Sequence, residues 1–140
     1  MSLPLATSTW DEKEIEAIHR VIQSDHYTMG KEVEIFENEF AKFIGSQYCV
    51  MSNSGSSANL LGIAALIYSK RHDIKFGDEV IVPAVSWSTT YYPLHQYGLK
   101  IKFVDIDKNT LNIDLNLLED AISDNTKAIL GVNLLGNPIE

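Results

Sequence analysis

Residues 79–107, EVIVPAVSWSTTYYPLHQYGLKIKFVDID, decide the predicted fold because they contain a strand, a helix and a second strand. EVIVPA is a continuous apolar run that ends at Pro83. VSWSTTYYPLHQYG is typical of a loop that enters a helix, which Gly98 ends. IKFVDID is the next apolar run. Continuous apolar strands separated by helices, rather than strands of alternating polarity, indicate a parallel sheet that is covered on both faces. The stretch therefore predicts an α/β fold.

The residues on either side extend the same pattern. Apolar runs and helical spacing predict, in chain order, helices over 11–24 and 32–44, a buried strand over 48–51, a well-buried helix over 57–69, a helix over 114–123 that Asp114 caps, and a strand over 128–133. Cys49, in the first of these strands, is expected to be a buried structural thiol. Residues 1–45 thus form a predicted N-terminal helical segment, and residues 46–140 a mostly parallel sheet with helices on both faces.

Composition and charge exclude several classes of function. The net charge of −8 argues against binding to nucleic acid or to an anionic membrane. Apolar runs shorter than the roughly 18 residues of a membrane span, and no signal-peptide pattern, predict a cytoplasmic protein. A single cysteine excludes a disulfide framework, and the lack of H-x-x-H, C-x-x-C or paired carboxylates indicates no metal site.

The most polar stretch, MSNSGSSANLLG at residues 51–62, lies between the first predicted strand and its helix. Ligands of open α/β sheets bind beyond the carboxyl ends of the strands, where this stretch is expected. Gly55 would let a ligand approach the backbone. The N–H groups of Ser56, Ser57 and Ala58, together with the helix dipole, would stabilise a phosphate. A serine N-cap with a glycine turn explains the same pattern, so both interpretations stay open.

Other phosphate-binding and catalytic motifs do not fit this stretch. Its only glycines are Gly55 and Gly62, so it lacks the G-x-G-x-x-G fingerprint, the G-K-[ST] of a P-loop and the G-x-S-x-G of a nucleophile elbow. It suits a cofactor with a single phosphate better than a nucleoside triphosphate. Trp87 follows the next strand at the same edge, where its indole would stack on a flat ring that bears this phosphate. A tryptophan packed in the core is the alternative.

Taken together, these motifs resemble the DegT/DnrJ/EryC1/StrS family of pyridoxal-phosphate enzymes, which have the aspartate aminotransferase fold and act on nucleotide-linked sugars. The resemblance rests on PLATSTW, YTMGK, NSGSSANLL, GDEVIVPAVSWSTTYYPLHQYGL, KFVDIDKNTLNID and TKAILGVNLLGNP, in this order. Within the family, SGSSANLL, SWSTTYYPL and NLLGNP are most similar to the sugar 3-dehydratases. The resemblance implies that residues 46–140 begin the large domain of a fold-type-I enzyme. Since no closing helix follows AILGVN, we expect this chain to be an N-terminal fragment.

The resemblance also implies two groups of binding residues. The cofactor group comprises Gly55, Ser56 and Ser57 for the phosphate of pyridoxal 5′-phosphate, Trp87 stacked on the ring, and Asn133 near the ring. The substrate group comprises Ser8, Trp10, Thr28, Met29 and Gly30, near the sugar nucleotide. No catalytic residue is implied within 1–140. The acid that pairs with the pyridinium nitrogen, and the lysine or histidine that faces the cofactor aldehyde, are expected downstream.

The activity implied by the resemblance is 3-dehydration of a nucleotide-linked 4-keto-6-deoxy sugar, as in colitose-type deoxysugar synthesis for O-antigen. L-Glutamate would convert the cofactor to pyridoxamine 5′-phosphate, the working form, and the sugar would lose its C3 hydroxyl. An aminotransferase of the same family and a non-catalytic phosphate-binding α/β module are the alternatives. The full-length enzyme would be a homodimer. The 140 residues alone are expected to be inactive and to bind little cofactor.

Overall fold

The computed structural model of the protein describes residues 6–139, so Pro4 and Leu5 of the PLATSTW motif lie outside the described residues. Contacts divide the chain into two compact units, Met1–Met51 and Ser52–Glu140. In chain order the elements are α1 (Glu12–Ser24), α2 (Lys31–Ile44), α3 (Gly55–Tyr68), β1 (Glu79–Pro83), α4 (Ser88–Gln96), β2 (Lys100–Val104), α5 (Leu115–Ala121), β3 (Thr126–Ile129) and a 3₁₀ turn (Leu134–Gly136). Within the described part of the chain, every helix is too short or too polar to cross a membrane.

The first unit contains α1 and α2, whose ends follow local sequence signals. At the start of α1, the Asp11 carboxylate accepts a hydrogen bond from the Lys13 N–H at 2.7 Å. The Glu14 carboxylate in turn accepts from the Asp11 N–H at 2.7 Å, which completes a capping box. At the end of α2, Gly45 has a φ of +79°, which glycine adopts without steric cost. Both helices predicted from apolar spacing are confirmed to within about a residue at each end.

The second unit is built on a three-stranded parallel sheet in the order β2-β1-β3. Successive side chains of a strand point to opposite faces. Val80 and Val82 therefore pack with α3 and α4 on one face, whereas Ile81 packs with Val104, Ile113 and α5 on the other. Burial on both faces explains why β1 is a continuous apolar run. The predicted parallel sheet with helices on both faces is confirmed.

Three predictions on the segment before β1 are wrong. Residues 48–51 form no strand, Tyr48 and Val50 are 76% and 69% exposed, and Cys49 is half-buried rather than buried. A strand requires a neighbour for its backbone N–H and C=O groups, and none of the strands between residues 6 and 139 pairs with this run. Nor is α3 well buried, since Ile63 is its one fully buried side chain. Only one side of α3 faces the sheet, so the apolar residues on its other side stay exposed.

The last predicted strand is shifted toward the N-terminus. β3 covers Thr126–Ile129 rather than 128–133. The Leu130 N–H donates to the Ile81 carbonyl oxygen at 2.9 Å, directly after β3 ends. The chain then turns at Leu134–Gly136 instead of continuing as an extended strand. This turn brings the NLLGNP motif back toward the edge of the sheet.

Candidate functional site

The candidate site lies at the edge of the sheet where the parallel strands β1, β2 and β3 have their carboxyl ends. β1 leads through residues 84–87 into α4, β2 leads through residues 105–114 into α5, and β3 leads into residues 130–139. The first half of α3 meets the first turn of α4 near this edge, where the Asn59 side-chain amide donates to the Thr89 carbonyl oxygen at 3.2 Å. In α/β sheets this edge is where ligands bind.

The N-terminus of α3 contains both a serine cap and free donors. Ser54 is the N-cap, and its hydroxyl oxygen accepts from the Ser57 N–H at 3.2 Å. The Ala58 N–H donates to the Ser54 carbonyl oxygen at 2.9 Å. The N–H groups of Gly55 and Ser56 donate to no acceptor within residues 6–139. The free donors are therefore those of Gly55 and Ser56, whereas the sequence pattern placed them at Ser56, Ser57 and Ala58.

Gly55 is not required by the packing of the described chain. An added Cβ would have no heavy atom within 4 Å, and its φ lies outside the left-handed region. The absence of a side chain instead leaves the start of α3 open to close approach from outside. A phosphate is stabilised at such a position by the free N–H groups and by the positive end of the helix dipole.

A cavity of about 180 Å³ lies between the first half of α3 and one face of α4. Its lining combines hydroxyl, amide and apolar groups: Ser56, Ser57, Leu60, Thr89, Tyr92, Pro93 and Gln96. The structure thus brings two of the predicted phosphate residues together at one opening. The residues from α4 were missed by the sequence reasoning, although Thr89, Tyr92, Pro93 and Gln96 have the i, i+3, i+4, i+7 spacing of one helix face.

Trp87 lies at the N-cap of α4 and is 76% exposed, so it is not a core tryptophan. The loop that carries it is held at both ends. The Tyr91 hydroxyl donates to the Pro83 carbonyl oxygen at 2.8 Å, and the Ser86 and Thr90 hydroxyl oxygens are 2.9 Å apart. Burial raises the pKa of the Tyr91 hydroxyl above its usual value, which favours the protonated donor. These contacts fix the backbone on both sides of an exposed indole.

Asn133 lies after β3, at the start of the 3₁₀ turn, and it does not line the cavity between α3 and α4. Its Oδ1 accepts a hydrogen bond from the Ile139 N–H at 3.1 Å. Nearby, Asn112 is buried and its Nδ2 donates to the carbonyl oxygens of Asn137 and Pro138. Asn112 was not singled out from the sequence, because a lone asparagine before a helix is most simply a turn residue.

The predicted substrate residues belong to the first unit. Thr28, Met29 and Gly30 line a cavity of about 280 Å³. Its wall also includes two basic residues, Arg20 and Lys31, and one acidic residue, Glu32. Met29 has a φ of +46° and is 77% exposed, a strained position for a non-glycine residue. Ser8 and Trp10 lie nearer the N-terminus, before α1, where the Ser8 hydroxyl accepts from the Trp10 N–H at 3.4 Å.

Comparison with protein families identifies the group to which these features belong. Residues 8–140 match the model of the DegT/DnrJ/EryC1/StrS aminotransferase family. The chain belongs to this family. The resemblance inferred from the motifs is therefore confirmed over almost the whole chain.

Several members of the DegT/DnrJ/EryC1/StrS family are similar to this chain in sequence and structure. The chain is 64% identical over 138 residues to the GDP-4-keto-6-deoxy-D-mannose 3-dehydratase of Yersinia pseudotuberculosis, covering 99% of this chain and 35% of that protein. The solved structure of the Escherichia coli GDP-4-keto-6-deoxy-D-mannose-3-dehydratase with bound hydrated PLP is 62% identical to this chain, with a TM-score of 0.94. The match covers 99% of this chain and 36% of that chain. The same values hold for a mutant of a GDP-4-keto-6-deoxymannose-3-dehydratase with bound GDP-perosamine. The chain thus spans about a third of the length of these relatives.

Proposed function

We propose that this chain is the cofactor-phosphate-binding part of an enzyme that removes the C3 hydroxyl from a GDP-linked 4-keto-6-deoxy sugar. The observation that carries the proposal is the start of α3. Gly55 and Ser56 leave two N–H groups free at the carboxyl edge of a parallel sheet, in a chain 64% identical to a 3-dehydratase.

The residues present fit pyridoxal 5′-phosphate, which carries a single phosphate. The free N–H groups of Gly55 and Ser56 and the hydroxyls of Ser56 and Ser57 would hold the phosphate oxygens, and the α3 dipole would stabilise their charge. Trp87 would stack on the ring from its fixed loop, and Asn133 would contact it from the turn after β3. When bound, the cofactor supplies an amino group and an electron-accepting ring.

The substrate residues are proposed by the same reasoning. Thr28, Met29 and Gly30 line a cavity whose wall also includes Arg20 and Lys31. These two cations outnumber the one carboxylate of the wall, Glu32, and suit the diphosphate of a sugar nucleotide. Ser8 and Trp10 would contribute a hydroxyl and an aromatic surface. The guanine nucleotide is proposed because a solved relative, 62% identical, contains GDP-perosamine.

Product analysis tests the proposed reaction. The complete enzyme is incubated with GDP-4-keto-6-deoxymannose, pyridoxal 5′-phosphate and L-glutamate, and the sugar product, 2-oxoglutarate and ammonia are measured. We expect a sugar that has lost its C3 hydroxyl as water, with one equivalent each of 2-oxoglutarate and ammonia. The two electrons that replace the C–O bond by C–H then come from the oxidation of glutamate.

The family description supports one further candidate, a sugar aminotransferase. In that case the product retains its C3 hydroxyl, and the nitrogen of glutamate appears on the sugar instead of as ammonia. If neither product forms and no cofactor absorbance appears, the chain is a non-catalytic phosphate-binding module and the proposal is wrong. The homodimer of the complete enzyme, to be measured by sedimentation, and the cytoplasmic location stay predictions.

A further inference from the structure

We propose that Asn112 is a positioning residue that fixes the turn carrying Asn133 at the carboxyl edge of the sheet. Asn112 lies between β2 and α5 and is 6% exposed. Its Nδ2 donates to the carbonyl oxygen of Pro138 at 2.8 Å and to that of Asn137 at 3.3 Å. One side chain therefore binds two successive backbone carbonyls of the segment that follows β3.

A reciprocal contact joins the same two segments. The Asn137 Nδ2 donates to the Thr110 carbonyl oxygen at 2.8 Å, two residues before Asn112. We call Asn112, Asn137 and the backbone groups they bind the asparagine clamp. Because each asparagine donates across to the other segment, the segment after β3 is held from both sides, and the contacts reinforce one another.

The clamp determines how Asn133 is presented. The Ile139 N–H, directly after the clamped Pro138, donates to the Asn133 Oδ1 at 3.1 Å. The Gly136 N–H donates to the Asn133 carbonyl oxygen at 3.1 Å, which closes the turn on itself. With Oδ1 occupied, the Nδ2 of Asn133 donates to nothing within residues 6–139. It is therefore available to a ligand at the edge of the sheet.

Two features indicate that the turn is held against a cost. The Asn112 Oδ1 is buried without a partner among the described residues, and exchanging the positions of Oδ1 and Nδ2 would place the oxygen against two carbonyls. Leu135, at the tip of the turn, has a left-handed φ of +54° although it is 88% exposed. Such backbone persists where the surroundings over-determine it. The donor function of Asn112, rather than its packing alone, explains the unpartnered Oδ1.

Amide hydrogen exchange tests the clamp directly. In the complete enzyme without cofactor, Asn112→Ala is expected to accelerate exchange at the Ile139 amide by about fivefold, the factor that corresponds to the loss of one typical hydrogen bond. The amides of β1 should be unaffected. Asn116→Ala is the matched control, because Asn116 is exposed, lies four residues away, and should leave Ile139 unchanged. Unchanged exchange in Asn112→Ala would overturn the proposal.

A second variant covers the case in which Asn112→Ala does not fold. Asn137→Ala changes an exposed residue and removes only the bond to the Thr110 carbonyl, so it should fold and still accelerate exchange at Ile139. Combined variants should show less than the sum of the single effects, because both bonds hold the same segment. Fully additive effects would mean that the two asparagines act independently, which contradicts a clamp.

The inference that Asn112 positions Asn133 toward the cofactor ring rests on the proposed function, and it requires a separate measurement. Circular dichroism of bound pyridoxal 5′-phosphate reports the asymmetric surroundings of the ring. In Asn112→Ala we expect a reduced signal and a lower kcat, with KM for the sugar nucleotide unchanged. Faster exchange at Ile139 with an unchanged cofactor signal would make Asn112 a purely structural residue. Wild-type protein that shows no cofactor signal would contradict the proposed function, while the exchange at Ile139 would still decide the clamp.

Discussion

The side-chain amide of Asn59 in α3 donates to the carbonyl oxygen of Thr89 in α4 at 3.2 Å, across 30 residues of sequence. This bond joins the first half of α3 to the first turn of α4. Ser56 and Ser57 line the cavity on one side of the junction, and Thr89 lines it on the other. This hydrogen bond therefore ties the two helix starts together beside the opening.

Replacing Asn59 by aspartate should weaken this junction. Asn59→Asp substitutes an acceptor for the donor that faces the Thr89 carbonyl, so the free energy of unfolding should fall by about 1 kcal/mol, the typical contribution of one hydrogen bond. Urea denaturation at neutral pH measures this loss. Asn116→Asp makes the same exchange at the exposed start of α5, where a carboxylate suits the helix dipole, and should cost nothing. Equal losses in both variants would show that the contact with Thr89 is not responsible.

Adding a methyl group at Gly55 should weaken cofactor binding without lowering the free energy of unfolding. An added Cβ meets no heavy atom of the described chain within 4 Å, so the free energy of unfolding without cofactor should not fall in Gly55→Ala. The same methyl group would lie where a phosphate has to approach the free N–H groups of Gly55 and Ser56. Absorbance titration of the complete enzyme should therefore show weaker binding of pyridoxal 5′-phosphate, with a smaller effect on pyridoxal, which lacks the phosphate.

Gly62 provides the matched control for this comparison. An added Cβ there also meets nothing within 4 Å, but Gly62 lies in the interior of α3. Gly62→Ala should raise the free energy of unfolding by up to about 1 kcal/mol, because alanine favours helix more than glycine does. It should leave cofactor binding unchanged. Equal cofactor affinity in both variants would argue against a phosphate at the start of α3.

The sequence predicted the elements whose signals are local. The helix that begins near Asp11, the N-cap at Asp114 and the continuous apolar run of β1 all depend on near neighbours, and each is present in the structure. The expected strand at 48–51 failed because an apolar run becomes a strand only when another strand pairs with it. The β3 boundary was wrong because its end depends on pairing with β1 and on the turn that follows.

The part of the candidate site that the sequence could predict is the start of α3, because its residue types are typical of a helix N-terminus. Glycine and serines before an apolar helix indicated the start of α3, but the sequence could not show which N–H groups the cap would occupy. The Ser54 hydroxyl accepts from the Ser57 N–H, so the free N–H groups are those of Gly55 and Ser56 and begin one residue earlier than predicted. Contacts across distant segments, such as Asn59 with Thr89 and Asn112 with Pro138, left no local pattern to recognise.

Trp87 should affect the cofactor ring without affecting stability. Its side chain is 76% exposed, so Trp87→Ala should leave the free energy of unfolding within about 0.5 kcal/mol of wild type. If the indole stacks on the ring, Trp87→Ala should weaken pyridoxal 5′-phosphate binding, and Trp87→Phe should restore much of it. Cofactor binding should also quench the fluorescence of Trp87. Unchanged quenching in Trp87→Phe would place the ring away from residue 87.

Acid titration should reveal the contribution of Asp107 to the loop before the asparagine clamp. Hydrogen bonds from the Asn109 and Thr110 backbone N–H groups, at 2.6 and 3.2 Å, lower the pKa of the Asp107 carboxyl below its ordinary value of 3.8. Between the folded and unfolded pKa values the unfolded chain binds more protons, so stability rises with pH in this window. The contribution is present above about pH 4 and is lost as the pH falls through the folded pKa.

Asp107→Asn keeps an acceptor oxygen that does not titrate. Urea denaturation should therefore show wild type more stable than Asp107→Asn at pH 6, with the difference shrinking below pH 4. A difference that is independent of pH would contradict this assignment.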